Sequence, residues 1–183
     1  MQGKKFAITM LVMALAQSAV WAAMIGKHRS DLQRGTEILV KSTAYDPRDL
    51  FKGFYARLGL AGGQLTQSQV DVELSNYQRR PAFALLKQGE GSFWQIDRVV
   101  TERPSTGLYL SGLLVQQGEN ASPAYRMEFP FQRYYASQTR AQELERLNAN
   151  SQLGLILSVL PDGSAKIKGL MVDGERVLDE RLW

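Results

Sequence analysis

The first clear feature of the chain is an apolar segment from Phe6 to Gly26 that carries no charged residue over 21 positions. As an α-helix it would be about 31 Å long, which is enough to cross the hydrocarbon core of a bilayer. Basic residues flank the segment on both sides, at Lys4 and Lys5 before it and from Lys27 to Arg29 after it. The pattern therefore predicts a membrane-spanning helix.

A cleaved signal peptide is the alternative for the same segment. Its apolar region would run from Phe6 to about Ala19, with Val20 and Ala22 before the cleavage point. The apolar run continues past Ala22, which favours an uncleaved anchor. The two flanks carry similar numbers of cations, so charge alone favours neither orientation. Either arrangement exports the rest of the chain, so we expect a periplasmic domain. With the favoured uncleaved anchor, we expect a single-pass protein of a bacterial inner membrane.

Beyond this segment, apolar and polar residues alternate in short stretches that turn residues separate. This period of two is typical of antiparallel strands. One stretch differs, because Ala141, Leu144 and Leu147 share a helical face and predict a short helix over residues 138–148. The predicted strands are residues 36–42, 54–60, 70–74, 82–87, 93–100, 107–115, 124–129, 153–160, 165–172 and 175–178.

These elements predict a mainly β fold, in which an antiparallel β sandwich or partly open barrel with one short helix follows the N-terminal transmembrane helix. The predicted domains are a membrane anchor with its flanks over residues 1–34 and an extracytoplasmic β-rich domain over residues 35–183. Gly112 interrupts a predicted strand, which indicates a bulge or a close backbone approach. Asp173-Gly174 is the strongest two-residue hairpin signal in the chain.

The net charge of +4 belongs to the flanks of the apolar segment rather than to the domain. From Gly35 onward the chain has 17 basic and 17 acidic residues. Cations beside a membrane segment suit anionic lipid headgroups, whereas a neutral domain has no charge excess that attracts a polyanion. We therefore expect membrane attachment through residues 6–26 and no nucleic-acid binding.

The composition excludes several common enzyme designs. There is no cysteine, and the single histidine, His28, lies at the membrane edge. This excludes a thiolate nucleophile, a two-histidine metal site and a Ser-His-Asp triad inside the domain, and we expect no metal or other cofactor. Two designs stay open: a carboxylate pair, such as Asp46 with Glu143 or Glu145, and a Ser-Lys pair. The lysines available to the second design are Lys41, Lys52, Lys87, Lys166 and Lys168.

The stretch from Asp46 to Leu60, DPRDLFKGFYARLGL, resembles the signature of the GDYXXLXY family of bacterial membrane-anchored proteins. The sequence departs from that signature at Phe54 and Leu60, where the family has aspartate and tyrosine. The resemblance implies an N-terminal hydrophobic helix and a membrane location, but not a reaction. Later segments that resemble the family follow in the same order at Arg133-Tyr134-Tyr135, Glu143-Leu144-Glu145, Asp162-Gly163-Ser164-Ala165 and Gly169-Leu170-Met171-Val172-Asp173-Gly174.

Polar and aromatic residues of these segments are the candidate binding residues, and none is a candidate catalytic residue. Tyr55 and Arg57 share one strand face and could form a patch with Tyr134 and Tyr135. The alternatives are structural: a tyrosine packed under a neighbouring strand, and an aspartate that caps a turn. The full candidate set is Asp46, Arg48, Tyr55, Arg57, Arg133, Tyr134 and Glu143.

Three functions are compatible with these observations. The first is a membrane-anchored extracytoplasmic β domain, not an enzyme, that acts through protein contacts with an integral membrane partner. The second is an envelope hydrolase that uses a Ser-Lys or carboxylate pair. The third is a domain that binds a small ligand in the mouth of the barrel. The anchor, the neutral domain and the absence of a catalytic motif favour the first.

Overall fold

A computed structural model describes residues 2–44, 55–60, 63–72, 78–117, 124–135 and 153–179. Within these ranges one long helix precedes eleven strands, and two short 3₁₀ turns lie between strands at Gln67–Gln69 and Pro130–Gln132. The elements are α1 Gln2–Arg34, β1 Thr36–Ala44, β2 Tyr55–Leu60, β3 Gln64–Leu65, β4 Arg79–Gln88, β5 Phe93–Val100, β6 Tyr109–Gln117, β7 Ala124–Glu128, β8 Arg133–Tyr135, β9 Leu153–Val159, β10 Ala165–Val172 and β11 Glu175–Asp179.

α1 is long and apolar enough to cross a membrane. Its apolar side chains, such as Phe6, Leu11 and Trp21, are more than half exposed, as expected of a surface that lipid would cover. The helix does not end where the apolar segment ends. It continues for eight residues beyond Gly26 to Arg34, with a Lys27–Asp31 ion pair of 3.2 Å one turn apart.

The strands form one connected and mostly antiparallel sheet. Its main path is open and runs β11-β10-β9-β1-β5-β4-β6-β7-β3, and the pairing of β1 with β5 is parallel. Two further strands branch from this path, because β2 pairs with the end of β1 and β8 pairs with β2. A single 3₁₀ turn connects β7 to β8 in the chain, so β8 links the branch to β7. The predicted mainly β fold is confirmed, with an open main path that has β11 and β3 at its ends.

β9 contacts the hydrophobic core with one face and α1 with the other. All seven of its residues are buried. Leu153, Leu155, Leu157 and Val159 belong to the hydrophobic core, together with residues of β1, β6 and β7. The alternate positions lie on the opposite face, because side chains alternate along a strand. On that face Ser158 bonds to α1, so the core and the helix take opposite faces of the same strand.

Most strand predictions are confirmed, including the hairpin at Asp173-Gly174, where both residues have positive φ. Gly112 is confirmed as a close backbone approach, because a Cβ atom there would lie 2.6 Å from the carbonyl oxygen of Glu128. The predicted strand over residues 70–74 is wrong in its described part: Val70 forms a single bridge to Val99, and the next two residues are a bend. The predicted helix over residues 138–148 lies outside the described residues.

Candidate interaction site at the helix–sheet junction

The predicted binding residues divide into two groups. Asp46, Arg48 and Glu143 lie outside the described residues. The other four lie in β2 and β8, which pair with each other, so the fold brings them into one two-stranded ladder. The opposite positions in this ladder are Tyr55 with Tyr135, Ala56 with Tyr134 and Arg57 with Arg133.

The register of β2 and β8 defines which positions share a face of the ladder. Directly opposite positions lie on the same face of an antiparallel pair. Tyr55 and Arg57 therefore share a face with Tyr135 and Arg133, whereas Tyr134 takes the other face. The binding role of the whole candidate set stays a prediction.

The contacts between α1 and the sheet centre on Asp31, which is not among the residues predicted from the sequence. Lys166 Nζ donates to the Asp31 carboxylate over 2.8 Å, and the Ser158 hydroxyl donates to the Asp31 backbone carbonyl over 3.0 Å. The same carboxylate oxygen accepts from Lys27 over 3.2 Å. One residue of the helix thus bonds to both β9 and β10.

His28, one turn before Leu32, also faces β10. Lys166 Nζ lies 3.0 Å from His28 Nδ1. Because an ammonium group can only donate, Nδ1 is the acceptor in this contact, and the proton of the neutral imidazole is assigned to Nε2. Lys166 therefore contacts two successive turns of α1.

Packing reinforces these polar contacts. Leu32 in the last turn of α1 is only 5% exposed, whereas the apolar segment of the same helix is exposed. A Cβ atom at Gly35 would overlap the Ser158 hydroxyl, so only glycine permits this approach of the chain to β9. The last turns of α1 are therefore fixed against the sheet. We call Asp31, Leu32, Gly35, Ser158 and Lys166 the helix–sheet junction.

A second ionic cluster lies beside the junction and joins strands only. Glu37 in β1 accepts from Lys168 over 2.8 Å and from Arg176 over 3.2 Å. The hydrogen bond from Lys168 holds the pKa of the Glu37 carboxyl below its ordinary value, against an opposing effect of burial. Lys168 is the extra residue of a bulge in β10, between Ile167 and Gly169.

The β9–β10 turn attaches the junction to the rest of the sheet. The Tyr109 hydroxyl in β6 donates to the Pro161 carbonyl over 3.0 Å, and Arg103 donates to both oxygens over 2.9 and 3.2 Å. The Ser111 amide donates to the Gly163 carbonyl over 2.8 Å. Since β9 carries Ser158 and β10 carries Lys166, contacts run without a break from α1 through this hairpin to β6.

Comparison with known proteins gives one match. A family model with the description GDYXXLXY protein matches residues 17–170. The chain belongs to the GDYXXLXY family. No curated protein and no solved structure matches it. The family match begins inside α1 and ends in β10, so it covers the helix–sheet junction as well as the signature stretch.

In this GDYXXLXY protein, the second departure from the signature is a core position. Leu60 stands where the signature has tyrosine, and it is 3% exposed in the hydrophobic core. The first departure, Phe54, lies outside the described residues. The described part of the signature stretch thus contributes one strand of the sheet and one core side chain.

The described polar residues of this GDYXXLXY protein form contacts that stabilise the fold. Ser158 and Lys166 are opposite each other in the ladder, but the serine hydroxyl donates to a backbone carbonyl and is 1% exposed. Lys87 pairs with Asp97 over 2.7 Å, and Lys41 is exposed. Lys52 lies outside the described residues. In the described ranges, no three metal-ligating side chains come together.

Proposed function

We propose that this GDYXXLXY protein is a membrane-anchored periplasmic domain that acts by binding an integral membrane partner, and not by catalysis. The observation that carries the proposal is the continuity of α1. One unbroken helix includes the apolar segment and ends in the helix–sheet junction, with a single residue, Gly35, before β1.

This continuity restricts where the domain can act. A flexible tether would let a domain sample a wide volume around its anchor. Here the eight residues between Gly26 and Gly35 are helical and span about 12 Å. The domain is thus held close to the lipid headgroups and in one rotation about the helix axis, which suits a partner in the same membrane.

Charge supports the same proposal. The domain from Gly35 onward has equal numbers of basic and acidic residues, and the cations beside the apolar segment match a lipid surface. A partner would therefore be recognised at short range, through shape and local contacts, rather than through long-range attraction.

The test is capture of a partner from crosslinked, detergent-solubilised membranes by the tagged full chain. A variant with about eight Gly and Ser residues inserted between Gly26 and Lys27 keeps the junction but releases it from the membrane segment. We expect the wild type to capture a membrane protein and this variant to capture at least about fivefold less.

A matched control carries the same insertion between Ser105 and Thr106, which are exposed in a bend of the domain. It should capture the partner as the wild type does. Equal capture by the tethered variant and the wild type, or a wild type without any partner under gentle solubilisation, would contradict the proposal.

A further inference from the structure

A polar side chain lies near the middle of the apolar segment of α1. Gln17 lies eleven residues after Phe6 and nine residues before Gly26. The nine residues to Gly26 correspond to about 14 Å along the helix. The hydrocarbon core extends about 15 Å from its midplane. In the membrane-spanning arrangement that the proposed function assumes, the Gln17 amide therefore lies close to the bilayer centre.

The hydrogen bonding of Gln17 differs from that of Thr9, nearer the start of the apolar segment. The Thr9 hydroxyl donates to the Lys5 carbonyl over 3.0 Å, so the helix itself satisfies it. The Gln17 side chain is exposed, and within the described ranges its amide makes no hydrogen bond. A primary amide has two N–H donors and one carbonyl acceptor, and hydrocarbon supplies no partner for any of them.

We propose that α1 pairs with α1 of a second copy of this chain, and that the two Gln17 amides hydrogen-bond to each other across the contact. An amide is both donor and acceptor, so the same residue on an identical helix complements it in a two-fold symmetric contact. Interhelical hydrogen bonds between such side chains stabilise helix pairs in membranes. The small Ala14, one turn before Gln17, lets the two helices approach closely.

The geometry of the helix predicts which other positions face the second copy. Met10 and Met24 lie seven residues before and after Gln17, and residues seven apart share a helix face. Gly26 lies nine residues after Gln17, which is about half a turn away from that face. A Cβ atom at Gly26 would contact nothing within 4 Å, so a side chain fits there.

Disulfide crosslinking of the full chain in membranes tests the proposal, because the chain has no cysteine of its own. We expect oxidation to give a covalent dimer several-fold more efficiently with Met24→Cys than with Gly26→Cys, which lies at a similar depth. In the Met24→Cys background, Gln17→Leu should weaken dimerisation by roughly threefold to thirtyfold. Gln17→Asn keeps an amide and should retain most of the dimer.

The outcomes separate this inference from the proposed function on which it rests. A Gln17→Leu chain that stays in the membrane fraction but loses the dimer supports the pairing. Equal crosslinking from both faces, or a dimer unaffected by Gln17→Leu, overturns the pairing and leaves the anchor intact. A crosslink from Met24→Cys to a different membrane protein also overturns it, in favour of a heterologous partner. Loss of the wild-type chain from the membrane fraction would overturn the proposed function itself.

Discussion

Two glycines with similar positive φ angles differ in what surrounds them. Gly163 has φ +80° and Gly174 has φ +84°, a region that costs other residues roughly 1–2 kcal/mol. A Cβ atom at Gly163 would lie 2.5 Å from the Tyr109 ring, whereas one at Gly174 would contact nothing within 4 Å. The backbone requires glycine at both positions, but packing requires it only in the turn that attaches the junction hairpin to β6.

We therefore expect Gly163→Ala to destabilise the domain more than Gly174→Ala. Gly174→Ala should cost roughly 1–2 kcal/mol for the backbone alone. Gly163→Ala should add roughly 1–3 kcal/mol for displacement of the Tyr109 ring. Denaturant unfolding of both detergent-solubilised variants gives the difference, and equal losses would show that the ring moves aside without cost.

Glu37 makes the stability of the folded domain depend on pH. Its pKa is lowered in the folded protein, mainly by the hydrogen bond from Lys168. A lowered pKa contributes stability that is fully present above the pKa of the unfolded state and that is lost as the pH falls through the pKa of the folded state. We expect Glu37→Gln to be less stable than the wild type near pH 7 and to lose less stability between about pH 5 and pH 3. Unfolding midpoints across this range measure the effect, and parallel curves for the two proteins would contradict it.

At the scale of elements, β10 provides a matched pair of lysines. Lys166 and Lys168 have similar side-chain exposures, 29% and 32%, and each lies 2.8 Å from a carboxylate. The difference is the partner element, because Asp31 belongs to α1 and Glu37 belongs to β1. Substituting each lysine in turn therefore distinguishes the stability of the junction from the stability of the sheet.

We expect Lys166→Ala to increase hydrogen exchange in the last turn of α1 by at least about twofold, because that turn loses its ion pair with β10. Lys168→Ala should leave exchange in that turn unchanged and affect β1 and β11 instead. Exchange of the Gly35 amide, which donates to the Asp31 carbonyl over 3.3 Å, is the most direct reporter. The same response to both variants would mean that the helix is not held separately from the sheet.

The sequence predicted those elements whose signal is local. Alternation identified β4 and β5, and Asp173-Gly174 identified the last hairpin, because a turn and its flanking strands are adjacent in the chain. β3 and β8 have only two and three residues, which is too short for a period to show. The 3.6-residue period could not locate the end of α1 either, because that end depends on packing against β9.

At the scale of the whole molecule, the contacts of the helix–sheet junction could not be predicted from the sequence. Asp31 and Lys166 are 135 residues apart, and Asp31 and Ser158 are 127 apart. Nothing local marks Lys166 as different from Lys168, and only the fold assigns them to different partners. The β2–β8 candidates were closer to prediction, because the signature and aromatic segments named residues that the fold then paired. Sequence patterns thus identified segments, whereas the attachment of the sheet to α1 depends on long-range contacts.

The rigid attachment leads to a prediction about helical phase. Alanines inserted between Gly26 and Lys27 keep the helix but rotate the docked domain by about 100° per residue relative to the membrane segment. Two alanines rotate it by about 200° and lift it about 3 Å, whereas four rotate it by only about 40° and lift it about 6 Å. If the orientation of the domain is fixed by α1, four alanines should preserve capture of the proposed membrane partner better than two. A tether that is effectively flexible would instead give similar capture with both insertions, and a height limit alone would favour the shorter one. Capture from crosslinked membranes, with helix content checked by circular dichroism, distinguishes the three cases.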